Sequence, residues 1–330
     1  MSPSGACAAN LVEAGCNRGR VWVFRRIVCT GGVHSGILMT TNRWTDAFVR
    51  AFFTLASSVS VVVVVLIFLF LFKEALPFFR ERGAGEILGT RWVPVSPLEP
   101  SFGMLPLITG SLLVTMFAGL FAVPLGVVCA VYIAEVARPL EREILKPFIE
   151  LLAGIPSVVI GFFGMIVVAP VVKAVFHLDS GFNALSGAFV LALMAIPTIV
   201  SVSEDALRAV PESYKHASLA LGANRQQTIW GVIVPAAVPG ITASVMLGFG
   251  RIIGETMAVM MVTGNARKLT LNPFESVRTM TATVAAEMGE VSFGDVHYSA
   301  LFVVGGLLLL STFLLNVLAM RTFKKYGAHG

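Results

Sequence analysis

Apolar residues along this 330-residue chain come in long unbroken blocks rather than in alternating or striped patterns. Phe52–Phe72 contains no Asp, Glu, Lys or Arg, and the same holds for Pro100–Ala134, Leu151–Val172, Ser180–Ser203, Gln226–Gly250 and Val296–Met320. A bilayer-crossing helix needs about 20 mostly apolar residues at about 1.5 Å per residue. Each block is therefore a predicted crossing, six in all. The fifth block is interrupted by Arg251 and Glu255 and resumes through Thr263. The remainder after Glu255 is too short to cross alone, so the pattern predicts one helix from about Ala236 to Thr263 with both charges near its middle.

Composition agrees with that reading. The chain is 56% hydrophobic and only 13% charged, with a mean hydropathy of +0.84, where a soluble domain carries roughly 25% charge. A soluble enzyme, a disordered chain and a disulfide-stapled secreted domain are excluded. The net charge of +5 does not point to nucleic acid, because the basic residues stand beside the apolar blocks, where they set orientation. Arg18, Arg20, Arg25, Arg26, Arg43 and Arg50 precede the first block. Arg138, Arg142 and Lys146 lie in the second connection, Arg208, Lys215 and Arg225 in the fourth, and Arg321, Lys324 and Lys325 after the last. Placing these on the cytoplasmic side leaves fewer basic residues outside and puts both termini inside. The fold class expected is an all-α polytopic membrane bundle of six helices. Its parts are a cytoplasmic tail over 1–44 without regular structure, a membrane domain over 45–325 and a short C-terminal tail over 326–330. Cys7, Cys16, Cys29 and Cys129 have no metal-ligand or disulfide-frame spacing, and His177, His216 and His297 are scattered.

Two stretches carry candidate chemistry. In the connection 203–234, Pro211 precedes a helix-forming run from Glu212, and Gly222-Ala-Asn suits its end because Gly and Asn tolerate the left-handed conformation. Such a helix would form a rigid knob on the cytoplasmic side. In the fifth block, Gly250-Arg251-x-x-Gly254-Glu255 places two ionisable residues in the membrane, each costing on the order of 3 kcal/mol there on insertion scales. Spaced i, i+4, they would share a helix face, and Gly250 and Gly254 would let a neighbouring helix approach closely. A guanidinium matches an oxyanion with its planar fork. Arg251, Glu255 and the adjacent Thr256 are therefore the candidate substrate-pathway residues, with Glu255 placed to orient Arg251.

These residues carry a resemblance. Ala217-Ser218-x3-Gly222-x9-Val232-x-Val234-Pro235 resembles the loop Glu-Ala-Ala-x3-Gly-x9-Ile-x-Leu-Pro of ABC-importer permeases, departing from it at His216, Ser218 and the two valines. Gly248-x-Gly-Arg251-x-x-Gly-Glu255-Thr-Met-Ala-Val, with Gly264-Asn265, resembles the fifth-span signature of phosphate-specific permeases, and Thr-Met-Ala-Val favours the PstC type. Ser101–Thr115 and Leu152–Gly164 agree with it, so the resemblance covers about residues 45–325. It implies a type I ABC importer permease fold and import of inorganic phosphate by alternating access. It also implies a PstA-type permease partner, an ABC ATPase dimer and an extracytoplasmic phosphate-binding protein. ATP and Mg would be bound by the ATPase subunits, with no cofactor in this chain, which is then a transport subunit rather than an enzyme. Glu212, Lys215, His216, Ala217, Ser218, Leu219 and Gly222 would form the coupling segment toward the ATPase. No Lys follows a Gly, so this chain has no P-loop. An importer of molybdate, sulfate or phosphonate remains the nearest alternative. A self-contained secondary transporter is the reading from another class.

Overall fold

In a computed structural model, six helices are long and apolar enough to cross a membrane: Phe48–Glu81, Leu105–Val136, Ser157–Phe176, Ala184–Arg208, Arg225–Gly254 and Val296–Val317. They match the six predicted crossings. The structure describes residues 9–17, 20–27, 43–96 and 99–326, in two units, Met1–Phe70 and Leu71–Gly330.

In the first unit, β1 (Ala9–Asn17) pairs antiparallel with β2 (Arg20–Ile27), with a bulge between Leu11 and Ala14. Both strands lie within the tail over 1–44. Arg20–Ile27 reads Arg-Val-Trp-Val-Phe-Arg-Arg-Ile, and β-branched and aromatic residues suit a pleated strand. The rest of the tail to residue 42, and residues 327–330, lie outside the described residues. Helix α1 (Arg43–Glu81) begins in this unit. Its side chains from Phe48 to Phe70 are exposed all round, as suits a helix that is apolar on every face and solvated by lipid.

The second unit is a bundle. Pro106 in the first turn starts α2 (Leu105–Val131), where a missing N–H costs nothing. It ends in a π-helical turn, Tyr132–Val136. Helix α3 (Pro139–Gly154) is amphipathic, and the chain turns at Ile155-Pro156 before α4 (Ser157–Phe163). The third crossing therefore begins at Ser157 rather than Leu151, because Pro156 disfavours helical backbone at the residue before it. A second π-helical turn, Gly164–Val168, joins α4 to α5 (Ala169–Phe176). Asn183 caps α6 (Ala184–Arg208) by accepting the Ser186 N–H at 2.9 Å.

The fourth connection holds α7 (Glu212–Ala220), closed by Gly222 at φ +87°, and α8 (Arg225–Thr228), whose Asn224 and Gln227 form a reciprocal capping box. A π-helical turn, Ile229–Ile233, leads into α9 (Val234–Gly254). The short α10 (Met257–Val262), α11 (Met280–Glu287) and α12 (Val296–Tyr326) complete the chain.

Small residues let α2, α6 and α9 close on one another. A Cβ on Gly248 would lie 2.6 Å from the Ile199 side chain, and one on Gly119 would run into the Phe249 ring. Gly119 is near the middle of α2, so this stretch of α9 runs at mid-depth in the bundle. One apolar cluster fills the centre between α2, α4, α6 and α10. A second, around Phe78, Trp92, Phe102 and Leu301, closes the α11 end, and a third, around Ile133, Leu207 and Ile233, closes the α7 end.

Between α10 and α12 the chain folds back into the bundle. The Val277 N–H donates to Thr263 O at 3.1 Å, and the Met280 N–H donates to Ser111 Oγ at 2.8 Å. The backbone of Arg278 crosses Gly110 so closely that a Cβ there would stand 2.5 Å from Arg278 O. Gly110→Ala is expected to lower stability by roughly 1–3 kcal/mol through overpacking. Gly250→Ala should cause no loss, and a gain of up to about 1 kcal/mol from helix propensity, since a Cβ on Gly250 meets no atom within 4 Å. Thermal melts of the detergent-purified variants check both.

Candidate functional site

The fifth crossing does not run through Glu255 as one helix. Helix α9 stops at Gly254, Glu255 is extended at φ −73° and ψ 131°, and the helix restarts at Met257. Polar groups of the chain replace the missing ladder. The Glu255 carboxylate accepts the Ala258 N–H at 3.2 Å, and Thr281 Oγ1 donates to Glu255 O at 2.9 Å. The i, i+4 spacing therefore does not put Arg251 and Glu255 on one face, because Glu255 has left the helix and caps α10. Thr256 follows the break, its hydroxyl donating to Gly254 O at 3.4 Å. The expected close approach at Gly250 and Gly254 is also absent within this chain: a Cβ on either meets nothing within 4 Å.

Arg251 stands in the last turn of α9, half-buried, at the border between the packed face and an open face formed by Ala243, Leu247, Gly250 and Gly254. Its Nε is buried without a hydrogen-bond partner, and among the described residues no ion pair includes it. The negative end of the α9 dipole favours a cation in this position. What results is a guanidinium at mid-depth, next to open space and a helix break, with no carboxylate to neutralise it. Such a group binds an oxyanion through charge-assisted, paired hydrogen bonds.

The α7 loop places the other predicted residues at the far end of the bundle. Glu212, His216, Ala217, Leu219 and Gly222 are exposed, and His216 faces Glu212 at 3.7 Å. Lys215 and Ser218 turn inward. Lys215 Nζ lies 2.5 Å from Glu135 Oε2, and the Ser218 and Thr228 hydroxyls are 3.0 Å apart.

Three buried carboxylates escaped the sequence reading. Glu135, Glu204 and Glu287 each sit in the final turns of a helical segment, where the dipole disfavours an anion. In a chain so poor in charge, that misplacement was the available signal. Each is offset by cations. Glu204 pairs with Arg208 and with Lys146 at 3.2 Å. Glu287, 7% exposed, gathers Arg278 at 3.0 Å, Arg267 at 3.2 Å, His297 Nε2 at 2.9 Å and the Trp92 indole N–H at 3.0 Å. Burial alone would raise the Glu287 pKa, but the His297 hydrogen bond, the Arg278 charge, the Trp92 N–H and Arg267 together hold it below the ordinary value. Burial lowers Arg278, which Glu287 partly offsets. This cluster ties the strand Trp92–Val93, the re-entrant segment and the start of α12 together at the α11 end.

Bundle, loop helix and broken fifth span define a permease-type membrane component, and solved structures share the fold. A bacterial alginate ABC transporter, crystallised with an alginate-bound periplasmic protein, matches with a TM-score of 0.59 at 16% identity, covering 86% of this chain and 97% of that one. The chain belongs to the family described as binding-protein-dependent transport system inner membrane component, which matches residues 122–324. It is 42% identical over 227 residues to the probable ABC transporter permease protein YqgH of Bacillus subtilis, covering 69% of this chain and 73% of that protein. It is 35% identical over 257 residues to the phosphate transport system permease protein PstC of Mesorhizobium japonicum, covering 71% of this chain and 78% of that protein.

Proposed function

We propose that this chain is the PstC-type permease subunit of an ATP-driven importer of inorganic phosphate. The observation that carries the reading is Arg251: an uncompensated guanidinium at mid-depth of a membrane bundle, beside the break at Glu255-Thr256. The PstC relative supports the choice of phosphate among oxyanions.

The chain lies in the bacterial plasma membrane with both termini cytoplasmic, so α7 faces the cytoplasm and the α11 end faces outward. A PstA-type subunit completes the passage along the open face of α9. A phosphate-binding protein delivers phosphate at the α11 end. An ATPase dimer holds ATP and Mg and docks on the exposed residues Glu212, His216, Ala217 and Leu219. Closure of the ATPases moves α7, and the passage changes from outward- to inward-open. Phosphate meets Arg251 on the way and is released because one guanidinium in a wetted passage holds it only transiently. Glu255 and Thr256 fix the geometry of the break.

The test is radiolabelled phosphate uptake by the reconstituted complex, with molybdate, sulfate and phosphonate as competitors. Uptake that needs ATP and the binding protein and resists the competitors is expected. Transport by this chain alone would identify a secondary transporter. Preferential uptake of another oxyanion would reassign the substrate.

A further inference from the structure

The π-helical turn Tyr132–Val136 at the end of α2 is held by a cation from each of three helices, α3, α7 and α8. Arg142 of α3 donates to Ile133 O at 2.9 Å and also to Ala134 O. Arg225 of α8 donates to Glu135 O. Lys215 of α7 reaches the Glu135 carboxylate, whose side chain is 7% exposed and whose Oε2 has no other partner among the described residues. The two arginines satisfy carbonyls that a helix end leaves unpaired. The Lys215–Glu135 contact has no such backbone reason, since an anion opposes the dipole there.

Helix α7 is otherwise loosely attached. Only Lys215 and Ser218 of its residues are even half-buried, and Ser218 meets Thr228, at the start of the fifth crossing. Displacement of α7 therefore reaches α2 through Lys215, while Ser218 and the chain itself lead into the fifth crossing. A cavity of about 330 Å³, lined by Glu135, Arg142, Arg208, Glu212 and Lys215 among others, gives the pair room to move. Further along α2, Gly119 receives the Phe249 ring, two residues before Arg251.

Resting on the importer reading above, we infer that the Lys215–Glu135 ion pair is the joint that converts movement of α7 into movement of α2, and through Phe249 repositions Arg251. Both are positioning residues that never touch the transported anion. A π-helical turn is suited to this role because its ladder is already out of α-helical register.

The measurement is phosphate imported per ATP hydrolysed by the complete reconstituted transporter. Glu135→Gln, which leaves no buried charge, is expected to keep assembly and basal hydrolysis intact while lowering that ratio about tenfold, a coupling of ordinary size. Lys215→Gln should lower the ratio as much, at some cost in stability because Glu135 stays buried without its partner. Lys215→Arg, which keeps charge and reach, should hold the wild-type ratio, and the swap of Lys215→Glu with Glu135→Lys should recover most of it. Single variants with the wild-type ratio overturn the inference, as does an assembled swap no better than the singles. If a single variant fails to assemble, the swap decides on the same criterion. Failure of the importer reading is separate, because then the wild-type complex itself imports no phosphate.

Discussion

Arg251→Ala is expected to reduce phosphate uptake by the assembled transporter about a hundredfold, the loss of roughly 3 kcal/mol in charge-assisted hydrogen bonds. The same variant should lose no stability. Its Nε is buried without a partner, so removing the side chain leaves no orphaned carboxylate and relieves a desolvated polar group. Were Arg251 half of a structural ion pair, the outcome would be reversed, with the melting temperature falling alongside transport. Arg251→Lys keeps the charge but loses the planar fork, and uptake should fall between the other two. Wild-type uptake in Arg251→Ala would remove the proposed role.

Glu287→Ala is the second large effect, and it acts on stability. The substitution leaves Arg278, which is 7% exposed, as a buried charge without its carboxylate, and breaking a buried pair in this way costs about 3–5 kcal/mol. A drop of several degrees in the melting temperature of the purified protein is expected. The pH dependence follows from the direction of the Glu287 shift. Its folded-state pKa lies below the unfolded value, so its contribution is fully present above the unfolded pKa and is lost as pH falls through the folded one. Wild-type melting should therefore decline at acid pH more steeply than that of Glu287→Gln. Parallel pH profiles for the two proteins would show that the ionisation of Glu287 contributes nothing to stability.

The six crossings were legible because hydrocarbon imposes one requirement along the whole chain: every backbone group must be paired within its own helix. The α7 helix was legible too, since Pro211 and Gly222 punctuate it. The break at Glu255 was not. Gly254 permits a stop but does not demand one, and the groups that stabilise the stop include Thr281 Oγ1, far along the chain. Sequence spacing suggested a shared helix face for Arg251 and Glu255, whereas tertiary hydrogen bonds redirected the carboxylate to the Ala258 N–H. The charge clusters at the two ends have the same origin. Trp92 and Glu287 meet across a large separation in sequence, and no local pattern encodes such a pair. Only the unfavourable position of Glu135, Glu204 and Glu287 near helix C-termini marked them.

The interrupted ladder at Gly254–Thr256 also bears on hydration. The final carbonyls of α9 lack the in-helix donors they would have had in a continuous helix, and acyl chains offer none. Within the chain, Ile252 O is met by the Glu255 N–H and Gly254 O by the Thr256 hydroxyl; in the importer reading, where the open face of α9 lines an aqueous passage, water meets the others. An arriving anion then surrenders only part of its hydration shell, and Arg251 competes with solvent rather than with a counter-carboxylate. On that basis the residual dehydration cost, set by how strongly each oxyanion holds its water, becomes a filter acting beside the guanidinium.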